Sequence, residues 1–326
     1  MMSGCGRMIL GSDSHTRYGA LGTMGVGEGG PEIVKQLLRN TYDIAAPEVI
    51  LVWLTGQPPR GVGPHDVAIA LCGAVYKNGF VKNKVLEFAG PAVPHLPMDY
   101  RIGIDVMTTE TACLSSIWET DEAVADYLAL HGRPETFTAL HPQDGAYYDG
   151  MITIDLSRME PMAALPFHPS EAVPLRELLH DPGHPLREGE KRAAAQFGGK
   201  AGLPLTDKLA DGKKWADQGV IAGCAGGMYD NIAEAAAILA GHDTGSGYFS
   251  LSVYPPSVPV NLELMENGVQ QSLLASGALF KPCFCGPCFG AGDVPANNGL
   301  SIRPTTRNFP HPEGSKPADG PMASMN

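Results

Sequence analysis

The segment KPCFCGPCFGAGD places three thiols, Cys283, Cys285 and Cys288, within six residues. Side chains that close together cannot pack independently, so no other stretch constrains the chain as tightly. Gly286 and Pro287 fix a tight turn between Cys285 and Cys288, and such a turn lets two thiolates face one metal centre. A further thiol, Cys224, lies upstream in a second glycine-rich turn, AGCAGG. One cysteine from a distant turn plus a close pair gives three ligands, one short of the four that close most iron–sulfur and structural zinc sites. An open fourth position is what a metal needs to bind substrate and act as a Lewis acid. The competing readings are a redox dithiol, half of a zinc knuckle, and ordinary buried thiols. Iron–sulfur chemistry fits better than zinc, because no second Cys or His pair with zinc spacing follows. On spacing alone, Cys224 is a core thiol.

Around these turns the chain alternates strand-like and helix-like stretches. Met8-Ile9-Leu10 reads as a strand, and a helix begins at Pro31 with an apolar face of Ile33, Val34, Leu37 and Leu38. The intervening GVGEGG is expected to be a tight loop. It is not a dinucleotide fingerprint, which needs a strand directly before it and a distant acid after it. EVILVWL suits a buried strand, residues 64–75 a helix, and VLEFA another strand. His65 and His95 read as surface or cap residues. Residues 161–215 are rich in proline and charge and read as an exposed connector, with His168, His180 and His184 as bystanders. From Gly219 the pattern resumes, and Val220-Ile221-Ala222 is a strand that ends at the Cys224 turn. Sites in α/β folds sit at such strand ends. Alternation of this kind predicts layered α/β domains.

The chain has 326 residues and a net charge of −12. That charge argues against nucleic-acid binding, and no apolar run is long enough to span a membrane. Seven cysteines, irregularly spaced, argue against a disulfide framework and for a reducing cytoplasm.

Three separated segments resemble the aconitase/hydratase family. GSDSHT, residues 11–16, resembles the family's G-T/S-D-S-H-T signature. The Cys224 turn resembles its G-S-C-T-N turn. CGPCFG followed by Thr306-Arg307-Asn308-Phe309 resembles C-G-P-C-x-G and N-R-N-F. Order and approximate spacing agree, so the likeness runs over nearly the whole chain. RYGALGTMGVGEGG and RNFPHPEGSKP look closest to a bacterial hydratase branch, not to the citrate-cycle enzyme. The resemblance implies an α/β fold of aconitase-like three-layer αβα domains, the central part of the family's iron–sulfur domain. It divides the chain into residues 1–47, a remnant of a first domain; 48–160, a second; 161–215, the connector; and 216–326, a third that carries the cluster cysteines.

The resemblance also implies a 4Fe–4S cluster held by Cys224, Cys285 and Cys288, with one iron open to a small carboxylic-acid substrate. Cys283 falls outside the pattern. Asp13, His15 and Glu110 would be the acid–base and orienting groups, and Ser14 and Arg307 would bind substrate carboxylates. The implied reaction is that of an aconitase-type hydro-lyase, which adds or removes water on a hydroxy-carboxylic acid. Alternatives are a non-catalytic cluster-binding sensor and an inactive fragment.

Five positions depart from the family pattern. Val106 stands where N-M-G-A-E has Asn, Ala225 and Gly226 replace the hydroxyl and amide of G-S-C-T-N, and Thr306 replaces the Asn before Arg307. A second family Arg is replaced near Pro312. With fewer carboxylate clamps, a tricarboxylate substrate is not expected. In the family a sizeable part of the first domain precedes the first signature, and a swivel domain with a catalytic Ser follows the last. The expectation is therefore a central fragment of a longer protein, or one subunit whose partner carries the swivel domain.

Overall fold

The computed structural model describes residues 2–196, 204–210, 213–245, 247–296, 298–308 and 323–325. The position of the second family Arg, near Pro312, lies outside them. The chain forms two compact units, Met1–Glu160 and Pro161–Asn326.

The first unit opens with β1 (Arg7–Gly11) and β2 (Thr23–Gly27), which pair in parallel, followed by α1 (Gly30–Leu37). Then come β3 (Val49–Thr55), α2 (Pro64–Val75), β4 (Val85–Ala89), α3 (Met98–Met107), β5 (Ser115–Trp118), α4 (Glu122–Leu130) and β6 (Gly150–Asp155). The strands β5-β4-β3-β6 form one parallel sheet. β3 is β-branched and apolar, and its Ile50, Val52 and Leu54 are fully buried with Leu86 and Phe88 of β4. Phe88 stacks on Trp118 of β5 with ring centroids 4.3 Å apart. Pro64 starts α2, where a missing N–H costs nothing. The Asp66 carboxylate accepts the Gly63 N–H at 2.7 Å and satisfies one orphan donor of that helix end. Asp121 caps α4 by accepting the Val124 N–H, and a fork from the buried Arg101 fixes its carboxylate at 2.9 and 2.7 Å.

Three expectations change here. Part of the glycine stretch expected as a loop is strand β2. Its glycines serve close approach: a Cβ on Gly25 would lie 2.6 Å from the Thr16 carbonyl oxygen, and one on Gly27 would lie 2.3 Å from that of Asp13. α1 forms, but its apolar face is not covered by the described residues: Val34, Leu37 and Leu38 are all exposed. His65 is no surface group, since both ring nitrogens are buried without a hydrogen-bond partner among the described residues. Burial lowers its pKa to about 4.

The second unit begins with the antiparallel pair β7 (Met162–Ala164) and β8 (Ala172–Pro174), then α5 (Leu175–His180) and α6 (Gly183–Gln196). A short antiparallel pair follows, β9 (Leu209–Ala210) and β10 (Lys213–Lys214). The stretch expected to be exposed has a core of its own: Leu165, Phe167, Leu178, Leu186 and Leu205 are buried together with Leu300. Next come β11 (Gln218–Ala222), α7 (Gly223–Gly226), α8 (Tyr229–Leu239), β12 (Ser250–Tyr254), α9 (Val258–Glu266), α10 (Val269–Ala275), β13 (Leu279–Phe280), α11 (Gly286–Phe289), β14 (Leu300–Ile302) and β15 (Ala323–Met325). The sheet β13-β12-β11-β14-β15 is parallel throughout. Val253 of β12 is buried among Ile232, Leu264 and Leu273 of α8, α9 and α10. The expected α/β class holds in both units. Among the described residues no helix is long and apolar enough to cross a membrane.

Candidate functional site

In the first unit the GSDSHT turn leaves β1 and doubles back before β2. Asp13 shapes it: its Oδ1 accepts the His15 N–H at 2.6 Å, and its carbonyl accepts the Thr16 N–H and hydroxyl at 3.0 and 2.7 Å. The Asp13 carboxylate is 72% exposed. The His15 ring meets Glu110 Oε1 through Nε2 at 2.9 Å, with only 10% and 3% of the two side chains exposed. His15 Nδ1 lies 3.6 Å from Asp13 Oδ1. Asp13, His15 and Glu110 thus form one line, from exposed carboxylate through imidazole to buried carboxylate. The imidazole can hold or pass a proton while the inner carboxylate orients it.

Glu110 sits on the 3₁₀ turn Thr108–Thr111 that continues α3. The same turn grips the signature through the Thr109 hydroxyl, which donates to the Ser14 carbonyl at 2.8 Å. Val106 is buried in the core. Arg17, which sequence reading missed, ties the same pieces together. It is buried and donates to the Thr108 hydroxyl and to the carbonyls of Thr16, Gly25 and Cys113 at 3.1–3.3 Å. Beneath it, burial raises the Asp105 pKa against the Trp118 N–H that binds its carboxylate at 2.9 Å.

In the second unit the cysteine turns follow the carboxyl ends of parallel strands, and the chain order reverses between β11 and β14. Ligands of open α/β sheets bind at such a switch point. β11 delivers Cys224 into α7, entered through Gly223 at φ +80°. The Asn231 side chain donates to the Ala225 carbonyl at 3.1 Å and closes that turn from α8. After β13, the Cys288 N–H donates to the Cys285 carbonyl at 3.1 Å and the Ala291 N–H to that of Gly286 at 2.9 Å. Cys285 is exposed, and Cys224 and Cys288 are half-buried. None of the seven cysteines is in a disulfide.

β14 leads into the N-R-N-F-like segment. The Thr306 hydroxyl lies 2.6 Å from Cys288 Sγ. Asn308 donates to the Ala164 and Leu165 carbonyls at 3.2 and 2.9 Å and pins the backbone beside Arg307, which is half-buried. Burial lowers the Arg303 pKa to about 10, although Cys288, Asp293 and Tyr254 favour its charge.

Among the described residues, no group of three His, Cys, Asp or Glu is placed to share one metal ion. A four-iron cluster asks something different, because each thiolate takes a separate iron. Three soft thiols on glycine-rich turns at strand ends, partly exposed, with Thr306 beside Cys288, suit that group. Arg17 and Arg303 carried no motif to reveal them: the partners of Arg17 are mostly backbone carbonyls, which every sequence has, and those of Arg303 are scattered over residues 218–301.

The model of the aconitase family (aconitate hydratase) matches residues 1–325. Relatives include the 3-isopropylmalate dehydratase large subunit of Nitratidesulfovibrio vulgaris, 29% identical over 98% of this chain and 68% of that protein. The large subunit of Lachnoclostridium phytofermentans is 28% identical over 93% and 64%. Large subunit 1 of Methanopyrus kandleri is 27% identical over 98% and 68%. The chain thus spans about two thirds of the length of the relatives it matches.

Proposed function

The chain belongs to the aconitase family of hydro-lyases, and from that premise we propose that it adds or removes water on a small hydroxy-carboxylic acid, with Cys224, Cys285 and Cys288 holding a 4Fe–4S cluster. When bound, such a cluster supplies an open iron that polarises the substrate hydroxyl. Arg307 offers a planar fork that pairs with a carboxylate through two charge-assisted bonds. Ser14 adds a hydroxyl contact to a carboxylate. His15, oriented by Glu110 and flanked by Asp13, holds or moves the proton. The division into residues 1–47, 48–160, 161–215 and 216–326 stands as part of this reading. So does a separate smaller subunit, since the relatives are named as large subunits. A reducing cytoplasm is where exposed thiolates and an oxygen-labile cluster persist.

The observation that carries the reading is the 2.9 Å contact between His15 and Glu110. Two motifs ninety-five residues apart, each assigned to the site by resemblance alone, come within hydrogen-bonding distance as an imidazole and a carboxylate, which supports an acid–base role for them. The test is anaerobic purification followed by iron and sulfide analysis. About four of each per chain is expected, with a three-iron signal by electron paramagnetic resonance after brief exposure to air. Stoichiometric zinc without sulfide would overturn the proposal.

A further inference from the structure

Outside every motif that the sequence singles out, the second unit builds a network around Arg303. The side chain is 2% exposed. Its Nη1 donates at 2.8 Å to the carbonyl of Pro287, which lies between Cys285 and Cys288. Its Nη2 donates at 2.9 Å to Gln218 Oε1, on the first residue of the strand that delivers Cys224. The same nitrogen reaches the Asp293 carbonyl at 3.3 Å, beyond the far end of α11. Nε and Nη2 both meet Ser301 Oγ, at 3.0 and 2.8 Å, on β14. Asp293 is anchored independently, because the Tyr254 hydroxyl at the end of β12 donates to its carboxylate at 2.5 Å.

The next residue touches the other cysteine turn. A Cβ on Gly226 would lie 1.5 Å from the Pro304 carbonyl oxygen, so the Cys224 turn packs its bare backbone directly on residue 304. Two residues further on, Thr306 meets Cys288. One stretch of four residues therefore contacts both cysteine-bearing turns.

We propose that Arg303 is a positioning residue for the cluster cysteines: it sets the Cys285–Cys288 turn against the strand that carries Cys224 before any iron arrives, and it leaves a buried positive charge beside the ligands. The proposal rests on the cluster reading above. A guanidinium suits the task because its donors leave in fixed, coplanar directions, so one side chain can hold Pro287, Gln218 and Ser301 at once. An ammonium keeps the charge and loses the directions. A carboxamide loses the charge.

The test uses the full chain with Arg303→Lys and Arg303→Gln, and Tyr254→Phe as an isosteric variant that frees Asp293 and leaves Arg303 intact. Each protein is rebuilt anaerobically with ferrous iron and sulfide. Iron release to a chelator and the midpoint potential of the cluster are then measured. Cys285 and Cys288 are also alkylated with iodoacetamide in the cluster-free chain. Both Arg303 variants should release iron about 10- to 100-fold faster, the usual cost of losing a group that orients a ligand. Arg303→Gln should lower the potential, because removing a nearby positive charge disfavours the added electron, whereas Arg303→Lys should leave it near wild type. Tyr254→Phe should speed iron release by less. In the cluster-free variants the two thiols should alkylate faster than in wild type. A purely structural role would not separate the potentials of the Lys and Gln variants.

Wild-type iron release and alkylation in both Arg303 variants would overturn the proposal. Should those variants fail to fold, wild-type iron release and alkylation in Gln218→Ala, which frees Arg303 from the strand that carries Cys224, would do so alone. A wild-type chain that takes up no iron and sulfide overturns the cluster reading and this inference together. Normal loading with unaffected variants overturns this inference alone.

Discussion

Removing either partner of the His15–Glu110 contact should cost stability unequally, and the inequality follows from burial. Glu110 is 3% exposed and His15 10%. His15→Ala takes one hydrogen bond from the more deeply buried carboxylate, whose other contacts remain, and should cost about 1.5–3 kcal/mol, the range for a hydrogen bond to a carboxylate. Glu110→Ala leaves the less buried imidazole short of one partner and should cost about 1–3 kcal/mol, the penalty for an unsatisfied buried polar group. The coupling energy from the double mutant should be about 1.5–3 kcal/mol, as for a hydrogen bond to a charged group. Glu110→Gln keeps a hydrogen bond without the charge and should cost less than Glu110→Ala. Urea unfolding at neutral pH measures all four, provided that the m-value is unchanged. If the pair serves acid–base chemistry, Glu110→Gln in the active assembly should also lower kcat by about 100-fold or more. A coupling energy below about 0.5 kcal/mol, the ordinary scatter of independent sites, would show that the contact is incidental.

Cys224→Ser, Cys285→Ser and Cys288→Ser should each abolish cluster retention, measured as iron per chain after anaerobic rebuilding, while Cys283→Ser retains it. Arg307→Lys should weaken substrate binding by about 1.5–3 kcal/mol in the active assembly, since a fork becomes a point contact; an unchanged KM and kcat would remove Arg307 from the site. Gly226→Ala forces a Cβ onto the Pro304 carbonyl oxygen and should cost at least about 1–3 kcal/mol of stability by overpacking, with cluster loss as the second readout. The folded-state pKa of His65, about 4, lies below its ordinary 6.5, so the unfolded chain binds the extra proton: stability should be full above pH 6.5 and fall by up to ~3 kcal/mol as pH drops toward 4. His65→Leu should remove that part of the slope, and an acid unfolding curve identical to wild type would refute it.

What could be read in advance follows from which forces leave a trace in residue type. β3, β4 and α2 were legible because burial selects apolar, β-branched or helix-spaced residues and proline marks a helix start. The Cys283–Cys288 run was legible because thiols that dense serve little else. The ligand set and the His15–Glu110 pair came from resemblance, since nothing local links residue 15 to residue 110. β2 was hidden because Gly25 and Gly27 serve backbone approach and look like a loop. The core of residues 161–215 was hidden because its leucines and phenylalanine are scattered among prolines and charges. His65 was misread because a histidine at a helix start is ordinarily solvated, and only packing shows that its nitrogens are buried.

The departures from the family pattern around the cysteines make sense as one change. Gly226 occupies the place of an amide side chain, and the space that side chain would need is filled by the Pro304 carbonyl. The chain at 303–306 therefore lies closer to the Cys224 turn than an amide there would permit. Arg303 is held by Ser301 of β14 and by Gln218 of β11, on the same stretch of backbone that makes this approach. Thr306 gives Cys288 a hydroxyl where the family pattern has an amide. The stretch 303–306 thus packs on the Cys224 turn through Pro304 and bonds the Cys285–Cys288 turn through Arg303 and Thr306. It follows that restoring the family's residues singly should fail. Gly226→Asn alone collides with Pro304, and Thr306→Asn alone crowds the 2.6 Å contact to Cys288. Iron retention of the two single variants should fall below wild type, and a single variant that matched wild type would show that the two strand ends are not coupled.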